Sequence, residues 1–424
     1  MPAHRRKITY KLYPTPKQAA VLARMLSAHQ QLYNAALEER ISAWRHGRHS
    51  ISYEDQSKSL TAIRQALPED WAWLNCSSQQ LTLRRLNKAF QAFFSRCKKG
   101  QPPGFPRFKS VSRMPGFGYK SHGDGWRFTP GKDWRNGTLR LMEVGHVKAR
   151  GQARTVDGKI KSCELMHDHG TWTLSLTVEC KPEREGGTKV GAADWGVSTL
   201  LTVVDDEGVR EIANPRHSKK GMERQVELQQ AVSRAKRGSK NWKRRCKALR
   251  AFKRRQANRR LDEQHKLSAQ IAKDYFAFGM EKLSVKNMTA SAAGTAEEPG
   301  KNVQQKAGLN REILDTAPAR LMQLISYKVE ETGGWFFEAP TKQLKPSQTC
   351  PSCGHVAKKK LSERTHQCEE CGHTEPRDVA SARIVHAWLH SQLQAQNKGQ
   401  ELSLGRASHA LETATIAPLA FGGR

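Results

Sequence analysis

Between residues 350 and 371 four cysteines stand as two Cys-x-x-Cys pairs, Cys350/Cys353 and Cys368/Cys371, separated by a short basic loop. Each pair is followed by a glycine, Gly354 or Gly372, that permits a tight turn. Two such knuckles deliver four thiolates to one point, the donor set of a structural Zn²⁺. Residues 347–372 are therefore expected to form a zinc ribbon. Arg377-Asp378 follows directly and opens a segment with helical character. A carboxylate held beside a metal-stapled ribbon is a candidate catalytic acid, provided the chain supplies partners for it.

The balance of charge narrows the partners. There are 72 Lys and Arg against 40 Asp and Glu in 424 residues, a net charge of +32. Such an excess is out of place in most metabolic enzymes and suits a protein that neutralises phosphates. No apolar run reaches membrane-spanning length, and residues 1–7 hold no hydrophobic signal segment, so a cytoplasmic, nucleoid-associated protein is expected. The other five cysteines, Cys76, Cys97, Cys163, Cys180 and Cys246, are scattered and odd in number. That is the usage of a reducing compartment.

Along the chain, residues 7–13 read as a strand, and Thr15-Pro16 as a helix start. Apolar periodicity from Lys17 to Trp44 predicts two helices. A further helix follows the Asn75–Ser78 cap region, with Leu81, Leu83, Leu86, Phe90 and Phe94 on one face and Arg84, Arg85 and Lys88 exposed. Gln79, Gln80 and Arg84 are candidates for reaching base edges, a solvated face being the plain alternative. Residues 98–119, rich in Lys, Arg, Gly, Pro and Phe, are expected to be irregular. Their Arg107 and Lys109 suit contact with a nucleic-acid backbone. Strands are expected at 126–128, 139–147, 160–166 and 171–180, enough with 7–13 to close a small β-barrel interrupted by the helical block. The organisation is thus a barrel of residues 1–13 and 120–182, with a helical insertion at 14–119.

A Pro/Glu/Gly linker at 181–187 ends that half. Residues 189–204 predict a two-stranded hairpin with Asp194 inside an apolar run. Residues 216–260 hold eighteen Lys/Arg and two acids, Glu223 and Glu227. An exposed helical face stabilised by its own ion pairs would mix signs, so this single-sign helical pair points to nucleic acid. Lys243, Arg244, Arg245, Arg254 and Arg255 are candidate phosphate contacts. A separate helix at 261–273 leads to a buried strand, 275–280, ending on Glu281. A mobile loop is expected at 289–308, a helix at 313–331, a strand at 335–338, a last helix at 378–393 and a disordered tail at 394–424.

Asp194, Glu281 and Asp378 each adjoin an apolar run, where an uncompensated charge is costly. Brought together, three carboxylates would repel, and one or two Mg²⁺ ions are the usual compensation. Paired ions of that kind serve phosphodiester hydrolysis. Singly, each acid has a plain role as a turn former, a strand-end acid or a helix cap.

The motifs together resemble the TnpB nucleases encoded by bacterial insertion sequences, relatives of the type V CRISPR effectors. The resemblance rests on Ala193-Asp194-Trp195-Gly196, on Glu281-Lys282-Leu283 and on Arg377-Asp378 just after the four-cysteine ribbon. His265-Lys266-Leu267-Ser268, Pro346-Ser347-Gln348-Thr349-Cys350 and Pro106-Arg107-Phe108-Lys109 are similar as well. The chain departs from the family at Ala380, where Asn is usual, and at Ala193, Trp195 and Lys282.

The resemblance implies an α+β multidomain protein. Its N-terminal wedge barrel would carry a helical recognition insertion. Residues 188–346 and 373–393 would form an RNase H-like RuvC domain around the ribbon. It further implies a transposon-derived guide RNA, a double-stranded DNA target read beside a short motif, and Mg²⁺-dependent cleavage by Asp194, Glu281 and Asp378. A guide-dependent DNA binder that has lost cutting, or a transposase using the same acids, are the other readings.

Overall fold

The computed structural model describes residues 4–153, 156–168, 170–180, 185–295, 297–360 and 363–399. The expected disordered tail is corrected at 394–399, which continue the last helix, and lies outside the described residues from position 400 on. The chain divides into two compact units, Met1–Pro182 and Glu183–Arg424, so the division falls inside the 181–187 linker.

In the first unit, β1 (His4–Tyr13) precedes four helices, α1 (Pro16–Gly47), α2 (Tyr53–Ala66), α3 (Pro68–Trp71) and α4 (Cys76–Lys98). The strands β2 (Gly116–Tyr119), β3 (Trp126–Pro130), β4 (Asn136–Leu141), β5 (Gly145–Arg150), β6 (Gly158–Asp168) and β7 (Thr171–Cys180) follow. All join β1 in one antiparallel sheet of order β2-β6-β7-β1-β5-β4-β3. Alternation turns Ile8, Tyr10 and Leu12 of β1 and Leu174, Leu176 and Val178 of β7 onto one core, which Leu22, Met25 and Leu26 of α1 cover. The distal half of α1 packs Leu32, Tyr33 and Leu37 against Leu60 of α2 and Leu83, Leu86 and Phe90 of α4.

The sheet curls but does not close into the expected barrel: among the described residues no ladder joins β2 to β3. At the two edges the Tyr119 and Trp126 rings lie 6.3 Å apart. Residues 16–47 form one helix rather than two, because the polar stretch in its middle is used inside: His29 is buried between Ser78 and Thr82. The expected strand at 139–147 is a hairpin of β4 and β5, turned by left-handed Glu143 and Gly145. Residues 116–119, expected to be irregular, add β2 to the sheet. Arg85 is not exposed; its guanidinium donates to the Gly116 carbonyl and pairs with Glu164 at 3.7 Å.

The second unit opens with β8 (Lys189–Trp195), β9 (Thr199–Asp205) and β10 (Gly208–Ala213), a three-stranded meander where a two-stranded hairpin was expected. Then come α5 (His217–Lys220), α6 (Met222–Ser233), α7 (Lys240–Asp274) and β11 (Tyr275–Glu281). They are followed by α8 (Val285–Met288), α9 (Val303–Thr316), α10 (Pro318–Glu331), β12 (Trp335–Ala339) and α11 (Thr341–Leu344). The small pair β13 (Thr365–Gln367) and β14 (Thr374–Pro376) precedes α12 (Arg377–Gly399).

The main sheet has order β10-β9-β8-β11-β12, with β8, β11 and β12 parallel. A strand covered on both faces reads as a continuous apolar run, as β11 does at Ala277, Phe278, Gly279 and Met280. One face packs on Ile271 of α7 and on Leu321, Ile325 and Val329 of α10. The other packs on Val385 and Leu389 of α12.

Residues 240–274 form one helix, since nothing between Arg260 and Leu261 breaks it, so the separate helix expected at 261–273 is its end. The helix expected at 313–331 is two, split where Ala317 takes a left-handed φ of 44° before Pro318. Its first part begins at Val303, inside the expected mobile loop.

Candidate active site and nucleic-acid interface

Asp194 and Glu281 sit at the carboxyl ends of neighbouring parallel strands, one residue beyond the Ala193–Met280 register pair. The carboxyl edge of a parallel sheet is where α/β folds place ligand sites. Across this edge runs α12, whose first turn holds Asp378. Its rows descend the sheet in reverse: Ser381 at Asp194 and Glu281, Val385 at Ala192 and Gly279, Leu389 with Val190 and Ala277. Gly279 permits this approach, since a Cβ there would lie 3.3 Å from Val385 Cγ1 and 3.4 Å from Leu389 Cδ2.

The three sequence-predicted acids thus come together. Burial, then the charges of Glu281 and Asp378, push the Asp194 carboxyl well above the usual carboxylate range. Burial likewise raises Glu281. Two groups oppose these shifts. Ser381 Oγ lies 3.4 Å from Asp194 Oδ1 and 3.2 Å from Glu281 Oε1, and one hydroxyl proton serves one of them at a time. Arg377 adds a nearby positive charge while donating to the carbonyls of Lys360 and Glu363. Arg377 therefore ties the ribbon loop to the start of α12. Three neighbouring acids, with Asp194 and Glu281 held above the usual range and one guanidinium nearby, are a donor set suited to hard divalent cations. Ser381 was missed in the sequence; the residue after a departure from family pattern, on the first inward turn of α12, was the available signal.

In the ribbon, Cys350 and Cys371 sulfurs lie 3.7 Å apart and those of Cys353 and Cys368 3.5 Å. A tetrahedral ion with Zn–S of ~2.3 Å needs sulfurs ~3.8 Å apart, so the cluster fits. The knuckles are alike: Gly354 and Gly372 have φ of 77° and 71°, and their amides donate to Cys350 and Cys368 carbonyls. Backbone amides of Cys371 and Glu370 lower the Cys368 thiol to about 6.

The candidate nucleic-acid residues divide. Lys243, Arg244, Arg254 and Arg255 lie exposed along α7, as do Arg84 on α4 and Arg107 in its loop. Arg245 is drawn inward and donates to the Ala231 carbonyl of α6 at 2.8 Å. Lys109 folds over the Tyr33 ring, and Gln80 accepts from Lys120 at 2.6 Å. Gln79 does not lie on the exposed face where a base contact was expected. It is fully buried, with its carbonyl oxygen accepting from Arg64 and its amide donating to the Trp71 carbonyl, so it reads no base in this fold.

Comparison with known proteins then places the chain. A protein of Streptomyces pristinaespiralis named "Putative RNA-guided DNA endonuclease" is 30% identical over 397 residues, covering 90% of this chain and 88% of its own. The chain belongs to the TnpB family. A second relative, "Putative RNA-guided DNA endonuclease InsQ" of Escherichia coli, is 29% identical to this TnpB protein, covering 91% of this chain and 92% of its own. A family model described as "Probable transposase" matches residues 173–292, which hold Asp194 and Glu281. A "Cas12f1-like, TNB domain" model matches 319–385, which hold the four cysteines and Asp378. A helix-turn-helix model matches 1–49, although in this TnpB protein the described part of that segment holds β1 and one helix, α1. The fold is similar to that of the protein chain in a cryo-EM structure of a Cas12f1–sgRNA–target DNA complex, with a TM-score of 0.53 at 13% identity over 91% of this chain and 99% of that one.

Proposed function

We infer that this TnpB protein is an RNA-guided DNA endonuclease with a RuvC-like, RNase H-fold active site. The observation that carries the reading is Ser381 between Asp194 and Glu281, with the Asp378 charge acting on Asp194, at the carboxyl edge of the second unit's sheet. These carboxylates would hold Mg²⁺, which supplies a Lewis acid and an activated water for phosphodiester hydrolysis. Asp194 and Glu281 come from the rigid sheet and Asp378 from a helix clamped to it, so their spacing is fixed before nucleic acid arrives. Ser381 orients two of them, and Arg377 offsets their charge.

The four cysteines hold a structural Zn²⁺ whose work is positional, since Arg377 hydrogen-bonds the ribbon loop and precedes Asp378 in α12. The exposed cations of α7 contact guide or heteroduplex backbone, while base pairing supplies sequence. The helices between β1 and β2 serve recognition of the guide scaffold and the duplex beside the target. No described helix is long and apolar enough to cross a membrane, and the reading places the protein in the cytoplasm with nucleoid DNA.

Sequencing the RNA that co-purifies with the protein tests this. A discrete, transposon-encoded RNA ending in a variable 3′ segment is expected. Absence of any bound RNA, with DNA strand transfer retained, would favour a directly acting transposase.

A further inference from the structure

At the opposite end of β8 from Asp194 lies a second group of ligating side chains. His386 and His390 stand one turn apart on α12, in His386-Ala387-Trp388-Leu389-His390, and so share a face. Asp206 comes from the turn between β9 and β10. The Nε2 atoms of the two histidines are 3.2 Å apart, and each is 3.8 Å from Asp206 Oδ1. From Asp194 back to Val190, whose carbonyl lies 3.4 Å from His386 Nε2, is four strand residues, or ~13 Å. This cluster is therefore separate from the three carboxylates.

The turn is built to present Asp206. Its neighbour Asp205 closes the turn, accepting from the amides of Glu207 and Gly208 at 3.0 and 3.1 Å and from the Tyr275 hydroxyl at 2.6 Å. That leaves the Asp206 carboxylate facing α12. His386 is buried, and its Nε2 is surrounded by three electron-rich atoms: the Val190 carbonyl oxygen, the His390 nitrogen and the Asp206 oxygen. A single N–H can satisfy one of these. A cation at their common centre would satisfy the Asp206 oxygen and both imidazole nitrogens at once.

The distances agree with that. Zn–N and Zn–O bonds of ~2.0–2.2 Å at tetrahedral angles place ligand atoms ~3.4 Å apart. The observed edges of 3.2, 3.8 and 3.8 Å need adjustments of a few tenths of an ångström. Two imidazoles at i and i+4 with one carboxylate are a nitrogen–oxygen set for a borderline divalent ion, Zn²⁺ above the harder Mg²⁺ or Ca²⁺.

We propose that Asp206, His386 and His390 form a second transition-metal site, selective for Zn²⁺-type ions and open at its fourth position. The ion pins α12 to the β9–β10 turn, and α12 carries Asp378 at its other end. The site depends on neither the ribbon cysteines nor the nuclease reading.

Zinc content of the full chain tests it, measured by mass spectrometry after equilibration with buffered Zn²⁺. Wild type is expected to retain one ion more per chain than Asp206→Asn or His390→Gln, with at least about tenfold weaker Zn²⁺ binding at that site in each variant. Asp206 sits in an exposed turn, so its variant keeps the fold; Cys350→Ser should leave the difference intact. Equal zinc content in wild type and both variants overturns the proposal.

Discussion

Ser381 is the smallest part of the molecule on which the geometry of the proposed active site turns. Its hydroxyl is a neutral hydrogen-bonding group placed between Asp194 and Glu281. Ser381→Ala should preserve folding yet weaken divalent-metal binding at the acids by ~10–100-fold, measured by Mg²⁺-dependent cleavage or Mn²⁺ titration. Unchanged metal dependence would remove Ser381 from the site. Asp194 gives a pH prediction with a defined sign. Its carboxyl is held above the usual range, so the metal-free native state binds a proton more tightly than the unfolded chain. Stability then falls as pH rises from the ordinary carboxylate value through the raised one. In EDTA, Asp194→Asn should melt higher than wild type at pH 8 and gain nothing at pH 4. With Mg²⁺ the order at pH 8 should reverse.

At the scale of elements, the packing of α12 and of α1 can each be tested by a single substitution. Gly279→Val would drive a branched side chain into Val385 and Leu389, and such overpacking costs ~1–3 kcal/mol, read as a lowered melting temperature. His29 joins α1 to α4 and stacks on Phe117 of β2, with ring centroids 4.8 Å apart. Burial, and secondarily the Arg85 charge, lowers its pKa from 6.5 to about 3. The unfolded chain therefore binds the extra proton between those values, and stability is lost as pH falls from about 6.5 toward about 3. By pH 5 the loss should be ~2 kcal/mol, absent in His29→Gln.

These elements also show what could be read in advance. That Asp194, Glu281 and Asp378 lie near one another was legible because a charged residue at the end of an apolar run is conspicuous. The cysteines were legible by spacing. The unity of α1 was not, since its polar middle satisfies itself only against residues far along the chain. α2 was overlooked although Ser52 and Asp55 form a capping box, a local signal. The interior role of Gln79 was hidden because Arg64 and Trp71, its partners, lie beyond the helix whose face was being judged.

At the scale of the molecule, the excess of positive charge is concentrated where α6 and α7 lie. Lys243, Arg244 and Lys247 are exposed there, whereas Arg245 and Arg260 are spent on internal contacts with Ala231 and Asp315. Replacing Lys243, Arg244 and Lys247 by Gln should weaken RNA binding without altering the melting temperature. The slope of log affinity against log salt should flatten by about 0.9 for each duplex phosphate that is no longer neutralised. The central claim is that one three-carboxylate site performs guided DNA cleavage. Its most direct test is to load the purified protein with its co-purifying RNA and offer a duplex matched to the variable 3′ segment in Mg²⁺. Wild type should cut the matched duplex, and Asp194→Ala, retaining the RNA, should cut nothing. Cutting by Asp194→Ala at the wild-type rate would contradict the account.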